Sequence, residues 1–167
     1  MIKTEILSQN HPKLKNDFAC GKILLDTYLK TQATQDIKRK LSVCFVSVEN
    51  KTGLIQGYYT LSSNSIPFGI VPDNYKKHLP DSYSSIPATL LGRLAVDSRF
   101  KGLCIGKMLL IDALSRSYEI SKSVGSFAVV VDPLDEAAEK FYSKFGFILL
   151  PDSRKMFLPM KTIGKLF

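Results

Sequence analysis

The sequence predicts an α/β fold of the α+β type, in which helices flank a mixed, mostly antiparallel central sheet. Residues 42–49 alternate side chains with a period of two and lead through a turn into a second strand-like segment, residues 54–63. That arrangement indicates an antiparallel hairpin. Farther along, the apolar runs 88–96 and 126–131 enclose a helical pattern at 104–122. This order predicts a right-handed crossover between two parallel, buried strands.

Shorter segments complete the predicted sheet. Residues 2–8 are expected to form a short strand, and residues 147–150 and 155–160 a final strand pair. Between the hairpin and the crossover, residues 64–87 contain four prolines and are predicted to form a long loop. A loop of that length inside a compact domain is often functional.

Three helices are predicted from hydrophobic spacing, over residues 21–38, 104–122 and 133–145. The last would begin at an Asp132 cap with Pro133 in its first turn, and it would end at Gly146. The predicted buried stripes are Leu24, Leu25, Tyr28, Leu29 and Ala33 on the first helix, and Ile105, Leu109, Ala113, Ser117 and Ile120 on the second.

Length and composition indicate one globular domain that spans residues 1–167. With 45% hydrophobic and 23% charged residues, the chain can bury a full core and is not expected to be disordered. No run of about 18 apolar residues occurs, so no membrane span is predicted. The first ten residues lack the apolar stretch of a secretory signal.

The few cysteines and histidines argue against disulfide scaffolds, metal sites and histidine-based catalytic triads. Cys20, Cys44 and Cys104 are odd in number and contain no CxxC pair, which favours a reducing, cytoplasmic location. His11 and His78 are far apart, and both lie beside loop-like sequence. We therefore expect no bound metal.

The segment from Val96 to Lys107 has the features of a phosphate-binding turn. It lies between a buried strand and the start of a helix, where unpaired N–H groups and the helix dipole favour an anion. Gly102 and Gly106 allow a ligand to approach the backbone closely, and Lys101 adds positive charge. The spacing of the glycines excludes a Walker loop and a GxGxxG dinucleotide turn.

The same region resembles motif A of the GNAT acetyltransferase superfamily, through GRLAVD (92–97) and KGLCIG (101–106). FYSKFGF (141–147) resembles the end of motif B of that superfamily. The resemblance covers essentially the whole chain, and it implies a GNAT fold with acetyl-CoA at a strand–loop–helix site. The implied cofactor-binding residues are Leu94, Ala95, Val96, Lys101, Gly102, Leu103, Cys104, Ile105, Gly106 and Lys107.

Four linked motifs are similar to one branch of the superfamily. They are FACG (18–21), GYYTLS (57–62), LGRLAVD (91–97) and AAEKFY (137–142). Enzymes of that branch are toxins that acetylate the α-amine of aminoacyl-tRNA and so block translation, and ribbon-helix-helix antitoxins bind and inhibit them. The resemblance therefore implies aminoacyl-tRNA as the substrate, such an antitoxin as a partner, and a homodimer.

Two positions depart from motif A. Cys104 replaces a glycine of the pyrophosphate loop, and we expect it to adopt helical backbone angles, since a positive φ would be strained for cysteine. Lys101 replaces glutamine or arginine, so a cation is retained but the planar guanidinium is lost. Both changes predict weaker binding of acetyl-CoA without abolishing it.

The resemblance also implies the chemistry, in which the amine attacks the acetyl carbonyl directly through a tetrahedral intermediate. Backbone N–H groups near residues 94–96 would stabilise the carbonyl oxygen, and Tyr142 would act as the general acid for the thiolate. Helical spacing with Ala138 and Phe145 alone would make Tyr142 a core residue. The motif match favours the acid. We see no general base, which favours an α-amine of pKa about 7.7–8.0 over a lysine of about 10.4.

The basic residues leave two interpretations open. Arg93 lies in an otherwise apolar strand and must be paired if buried, either in a salt bridge that holds the sheet or with the acceptor end of tRNA. The formal charge of +8 favours a polyanionic partner, and CoA, nucleic acid or an acidic protein would each satisfy it. Two clusters are either solvated or bind RNA in a salt-dependent manner: Lys38, Arg39 and Lys40, and Lys76 and Lys77.

Two other functions remain open at this point. The chain would then be either a GNAT acetyltransferase of a small-molecule or protein amine without a toxin role, or a non-catalytic GNAT-like binding protein. If the chain is a non-catalytic binding protein, Cys104 would have disrupted the pyrophosphate loop.

Overall fold

The computed structural model describes residues 2–167, except for the side chain of Lys13, and contains a mixed seven-stranded sheet. The strands are β1 (Glu5–Ile6), β2 (Val43–Val48), β3 (Ile55–Pro67), β4 (Ser85–Val96), β5 (Ala128–Val131), β6 (Ile148–Leu149) and β7 (Met156–Pro159). Their order is β1-β2-β3-β4-β5-β7-β6. β4 and β5 pair in parallel, whereas β1–β2, β2–β3, β5–β7 and β6–β7 are antiparallel. The predicted mixed, mostly antiparallel sheet is confirmed.

The helices are α1 (Pro12–Asn16), α2 (Ile23–Thr31), α3 (Ala33–Lys38), α4 (Asp73–Lys76), α5 (Ile105–Ser121), α6 (Glu136–Lys144) and α7 (Met160–Ile163). Two 3₁₀ turns lie at Phe68–Ile70 and Ser98–Phe100. Among the described residues, no helix is both long and apolar enough to cross a bilayer. The chain divides into two compact units, Met1–Ser62 with Gly92–Ala113, and Ser63–Leu91 with Leu114–Phe167, which we describe separately.

In the first unit, the two faces of the sheet are covered by different helices. Successive side chains of β3 point to opposite faces. Tyr58 packs in a core cluster with α2 and α3, while the hydroxyl of Tyr59 donates to Asp112 Oδ2 of α5 at 2.5 Å. The cluster beneath α2 and α3 consists of Leu7, Phe18, Cys20, Tyr28, Leu29, Ala33, Cys44, Val46, Ile55, Tyr58 and Ala95.

In the second unit, β5 is buried along its whole length and pairs with a strand on each side, and Ala128 and Val130 pack in a hydrophobic core cluster. Ala88 of β4 lies opposite Ala128, and Ala128 lies opposite Pro159 of β7. A continuous Val-rich run is what a strand buried on both faces requires. The crossover predicted between residues 88 and 131 is confirmed as a parallel pair.

Several predicted boundaries are wrong for identifiable reasons. The helix expected at 21–38 is broken at Gln32, after Thr31 Oγ1 bonds back to the carbonyl oxygen of Thr27 at 2.7 Å, a contact that bends helices. Leu24 was expected in the buried stripe of that helix but is 71% exposed, and Ile120 of α5 is 42% exposed. Both lie at ends of their stripes, where the neighbouring structure no longer covers the helix. The strand at 2–8 is reduced to Glu5–Ile6.

Two further corrections concern turns. The long loop expected at 64–87 is shorter, because β3 continues to Pro67, β4 begins at Ser85, and the N–H of Phe68 donates to the carbonyl oxygen of Ser84 at 3.0 Å. The last helix begins at Glu136 and not at Pro133, since Asp135, in extended conformation, accepts a hydrogen bond from the N–H of Ala138 at 2.9 Å. Its predicted end is confirmed by Gly146, whose φ is +88°.

Gly57 of β3 is required by close packing within the first unit. A Cβ at this position would lie 2.7 Å from the carbonyl oxygen of Ala95 and 2.7 Å from Cδ1 of Leu109. We predict that Gly57→Ala lowers the free energy of unfolding by about 1–3 kcal/mol, as overpacking typically does. The matched control is Gly69→Ala, whose Cβ would meet no atom within 4 Å. Urea unfolding of both variants checks this, and equal stability of the two would contradict it.

Candidate active site

A loop with unusual backbone angles joins β4 to α5 within the first unit. After the turn Ser98–Phe100, Lys101 is extended with φ −65° and ψ 148°, and Gly102 and Cys104 have φ of +82° and +60°. Residues 101–104 are all exposed. Two left-handed residues so close together bend the backbone sharply, and turns of this kind can point successive N–H groups into a concavity that holds an anion.

The N–H groups of this loop are available for a ligand. Within the described part of the chain, none of the N–H groups of residues 102–107 donates to a backbone carbonyl oxygen. The first helical bond of α5 runs from the N–H of Met108 to the carbonyl oxygen of Cys104 at 3.1 Å. A Cβ built on Gly102 would meet no atom within 4 Å, so the space beside the loop is open. These donors, at the amino end of a 17-residue helix, fit a pyrophosphate group.

The expectation of helical angles at Cys104 is wrong. Its φ of +60° lies in the left-handed region, which costs a non-glycine residue about 1–2 kcal/mol. The side chain is exposed, so it has no packing conflict, and a cysteine keeps the backbone N–H that a glycine would have. The loop therefore adopts a left-handed backbone at this position in spite of the cysteine.

Lys101 is engaged with another part of the first unit. Its Nζ donates to the carbonyl oxygen of Cys20 at 3.0 Å, and it lies 3.7 Å from the position of a Cβ on Gly21. Gly21 has φ +91°. The lysine thus holds the loop against residues 20–21 in this structure. Of the other predicted cofactor residues, Leu103 and Lys107 are exposed, Gly106 is half-buried and Ile105 is buried.

Asp97 was not among the predicted site residues, yet it organises the start of the loop. Its side chain is 1% exposed and accepts hydrogen bonds from the N–H of Ala19 at 3.1 Å and of Arg99 at 2.9 Å. The guanidinium of Arg99 donates two more hydrogen bonds to this carboxylate, from Nε at 2.8 Å and from Nη2 at 2.9 Å. Burial alone would raise the pKa of this carboxyl, but the bonds from Arg99 and Ala19 outweigh burial and hold the pKa below its usual value. The signal in the sequence was an acidic residue directly after a buried strand.

The three strand residues expected to stabilise the carbonyl oxygen lie directly before this loop. Leu94 and Val96 are half-buried and Ala95 is buried, all at the end of β4. The N–H of Asp97, next in the chain, donates to the carbonyl oxygen of Gln56 at 2.8 Å. The loop and these residues are thus fixed to β3 at their junction.

Tyr142 lies on α6 in the second unit, with its ring 7% exposed. Its ring makes edge contacts with Phe141 and Phe147, both at 5.3 Å between centroids. Burial raises the pKa of the phenol well above its usual value. No described residue is hydrogen-bonded to the hydroxyl, and that oxygen is not fully enclosed. The group is a protonated phenol whose O–H is free to donate.

The basic residues lie in both units. In the first, the guanidinium of Arg93 stacks on the ring of Tyr28, with its carbon 3.6 Å from the ring centroid, and the three residues 38–40 are exposed. In the second, Lys76 Nζ donates to the carbonyl oxygen of Gly69 at 3.3 Å and lies 5.4 Å from the Phe68 ring centroid, while Lys77 is exposed. No group of three or more His, Cys, Asp or Glu side chains that could hold a metal is found among the described residues.

The sequence is similar to curated toxins. It is 34% identical over 145 residues to a tRNA-acetylating toxin of Mycobacterium tuberculosis, covering 86% of this chain and 84% of the relative. It is 31% identical over 157 residues to a probable toxin TacT of Sinorhizobium fredii, covering 89% and 86%. Comparison with models of protein families gives no match.

Solved structures of related toxins superpose on nearly the whole chain. A tyrosine-to-phenylalanine variant of KacT has a TM-score of 0.91 at 30% identity, covering 99% of each chain. AtaT complexed with acetyl-methionyl-tRNAfMet has a TM-score of 0.89 at 29% identity, covering 100% of this chain and 99% of AtaT. An AtaT variant bound to the carboxyl end of the antitoxin AtaR and to acetyl-CoA has a TM-score of 0.82 at 27% identity, covering 99% and 98%.

The role of Asp97 predicts a pH-dependent loss of stability in Asp97→Asn. Because the pKa of Asp97 is lowered, its ionised form stabilises the folded state above about pH 4, and this contribution is lost as the pH falls through the folded-state pKa. Hydrogen bonds to a charged group contribute about 1.5–3 kcal/mol. We expect Asp97→Asn to lose about that much at pH 7 and less at pH 3, as measured by urea unfolding.

The matched control for that measurement is Asp81→Asn, at an exposed aspartate. It should leave the free energy of unfolding unchanged at both pH values. A deficit of Asp97→Asn that is as large at pH 3 as at pH 7 would contradict the assigned role of the carboxylate.

Proposed function

The chain belongs to the family of tRNA-acetylating toxins, and from this premise we propose that it transfers an acetyl group from acetyl-CoA to the α-amine of aminoacyl-tRNA and so blocks translation. The observation that carries the proposal is the row of free N–H groups at residues 102–107, in a chain that is 34% identical to a tRNA-acetylating toxin. AtaT, its structural neighbour, has been solved with acetyl-methionyl-tRNAfMet. Residues 1–167 act as a single acetyltransferase domain in this proposal.

The cofactor loop binds acetyl-CoA, which supplies an acetyl group activated as a thioester. The N–H groups of residues 102–107 hold the pyrophosphate, and the amino end of α5 adds partial positive charge. Asp97 keeps the loop in place through Arg99 and Ala19. Lys107 adds a cation at the exposed first turn of the helix.

Two groups of the chain assist the transfer itself. Backbone N–H groups at Leu94, Ala95 and Val96 stabilise the negative charge that develops on the acetyl oxygen as the neutral amine attacks. The carbon–nitrogen bond forms and the carbon–sulfur bond breaks. Tyr142 donates its phenol proton to the sulfur, the amide nitrogen releases one proton, and that proton restores the phenol. Tyr142 is suited to this because burial keeps it protonated and its hydroxyl is not bonded within the described residues.

The proposal includes partners and a location. A ribbon-helix-helix antitoxin binds and inhibits the chain, by similarity to the AtaT variant solved with AtaR. The chain forms a homodimer, as the resemblance to the toxin branch implies. A cytoplasmic location is part of the proposal, and an odd number of cysteines without a CxxC pair supports it.

The test is acetylation in vitro with radiolabelled acetyl-CoA and a bulk pool of charged tRNA. We expect label in the aminoacyl-tRNA fraction, and we expect Tyr142→Phe to lower kcat by about 10²-fold or more, the usual contribution of a general acid. The KM for acetyl-CoA should be unchanged. Tyr83→Phe, at an exposed tyrosine, is the matched control and should retain full activity.

The same assay separates the other two functions. If label enters a small-molecule or protein amine but not tRNA, that amine is the substrate and aminoacyl-tRNA is not. A wild-type chain that transfers no label and does not bind acetyl-CoA at millimolar concentration would be a non-catalytic relative.

The pH dependence gives an independent prediction. Since burial raises the pKa of Tyr142, the acid stays protonated through the neutral range, and only the substrate amine, with a pKa of about 7.7–8.0, should titrate. We expect kcat/KM to rise about tenfold per pH unit below that range and to level off above it. Initial rates from pH 6 to 9.5 check this, and a descending limb between pH 7 and 9 would argue against Tyr142 as the acid.

A further inference from the structure

The segment FACG (18–21), one of the four motifs similar to the toxin branch, has no part in the chemistry proposed above. Phe18 is fully buried and packs edge-on against the ring of Tyr58, with 5.5 Å between centroids, and Cys20 belongs to the same core cluster. Gly21 follows with a φ of +91°, a left-handed angle that favours glycine. Because the side chains of Phe18 and Cys20 are buried in the core, the main chain between them has a fixed position.

All four main-chain polar groups of the dipeptide Ala19–Cys20 are hydrogen-bonded. The N–H of Ala19 donates to Asp97 Oδ2 at 3.1 Å, and the carbonyl oxygen of Ala19 accepts from the N–H of Ser98 at 2.9 Å. The carbonyl oxygen of Cys20 accepts from Lys101 Nζ at 3.0 Å. The loop between β4 and α5 thus supplies three of the four partners.

The fourth partner is Asp26, in the first turn of α2. Its Oδ1 accepts from the N–H of Cys20 at 2.8 Å, and its own N–H donates to the carbonyl oxygen of Lys22 at 3.1 Å. The side chain of Asp26 is half-buried, so this bond is stronger than it would be in water. Among residues 2–167, no second acceptor for the N–H of Cys20 is found. Without the carboxylate, this N–H would be left unsatisfied at a buried residue unless the dipeptide moved.

Charge and position predict opposite effects of Asp26 on an anionic ligand of the loop. A carboxylate near the loop repels a pyrophosphate, so removal of the charge alone would tighten binding. Loss of the acceptor would instead release the N–H of Cys20 and loosen the carbonyl oxygen that Lys101 holds, which would weaken binding. The thiol of Cys20 contributes no charge of its own, since burial raises its pKa to about 11.

We propose that Asp26 is a positioning residue of the acetyl-CoA site, which acts through the dipeptide Ala19–Cys20 and Lys101. By holding the N–H of Cys20, Asp26 fixes the carbonyl oxygen to which Lys101 attaches the loop. The loop then keeps the conformation in which the N–H groups of residues 102–107 have no backbone partner among the described residues. The inference rests on the proposed function, because it takes acetyl-CoA as the ligand of this loop.

The experiment measures the Kd for acetyl-CoA by isothermal titration calorimetry, which requires no catalysis. We expect Asp26→Ala to weaken binding about fivefold or more, because a hydrogen bond to a carboxylate is lost. Asp26→Asn should stay within about twofold of the wild type, since its amide oxygen still accepts from the N–H of Cys20. Asp73→Ala, which removes an exposed aspartate from the first turn of α4, is the control and should leave the Kd unchanged.

Kinetics and a double-mutant cycle separate positioning from a general loss of structure. Asp26→Ala should raise the KM for acetyl-CoA and leave kcat at saturating acetyl-CoA within about twofold of the wild type, because the groups that assist the transfer are unchanged. Asp26→Ala and Lys101→Met together should lose less binding free energy than the sum of the two single losses, since both act through Cys20.

Tighter binding in both Asp26→Ala and Asp26→Asn would overturn the proposal and leave the carboxylate as a repelling charge. An unchanged Kd in Asp26→Ala, or losses that add fully in the cycle, would also overturn it. If Asp26→Ala does not fold, Asp26→Glu keeps the charge but moves the acceptor by one methylene group. Asp26→Glu should then weaken binding, and an unchanged Kd in that variant would overturn the positioning role.

The outcome is separable from that of the proposed function. A wild-type chain that binds acetyl-CoA, shows the expected changes in Kd and does not acetylate charged tRNA would contradict the activity and support the positioning role. A wild-type chain that acetylates charged tRNA while Asp26→Ala binds acetyl-CoA normally would contradict the positioning role alone. A wild-type chain that does not bind acetyl-CoA would contradict both.

Discussion

The hydrogen bonds to the buried carboxylate of Asp97 are the interaction on which the loop between β4 and α5, the proposed cofactor site, depends. A charge that is 1% exposed is tolerated only if donors surround it, and here they come from Arg99 in the loop and from Ala19, 78 positions earlier in the chain. One carboxylate thus ties together the strand end, the loop and the segment before α2. The N–H of Ser98 reinforces the link by donating to the carbonyl oxygen of Ala19 at 2.9 Å. Lys101 Nζ also reinforces it by donating to the carbonyl oxygen of Cys20.

With its start fixed in this way, the loop can hold an unfavourable conformation at Cys104. The left-handed angle costs about 1–2 kcal/mol, which is comparable to the contribution of a single charged hydrogen bond at Asp97. In this conformation six successive N–H groups, those of residues 102–107, have no backbone hydrogen-bond partner among the described residues. Strain at a ligand site is maintained when the surrounding contacts over-determine the backbone.

Two interpretations of Tyr142, as a core residue and as a general acid, are physically compatible in this structure. Its spacing on α6 predicted a core tyrosine, and the resemblance implied an acid. In the structure the ring is packed between Phe141 and Phe147, as a core residue would be, and its hydroxyl is left without a described partner. Burial of the ring is also the cause of the raised pKa, so packing itself keeps the phenol protonated.

The sequence by itself determined the hairpin, the parallel crossover, the end of α6 at Gly146, and membership in the GNAT toxin branch, which is confirmed. These depend on side-chain periodicity, on turn residues and on short motifs, all of which are local. Only the tertiary structure decided the positive φ of Cys104, the exposure of Leu24, the capping by Asp135 and the anchoring role of Asp97. It also decided that Arg93 stacks on Tyr28. The Arg93, Asp97 and Leu24 outcomes depend on contacts between residues far apart in the chain, which periodicity does not encode, whereas those of Cys104 and Asp135 depend on backbone angles that composition does not fix.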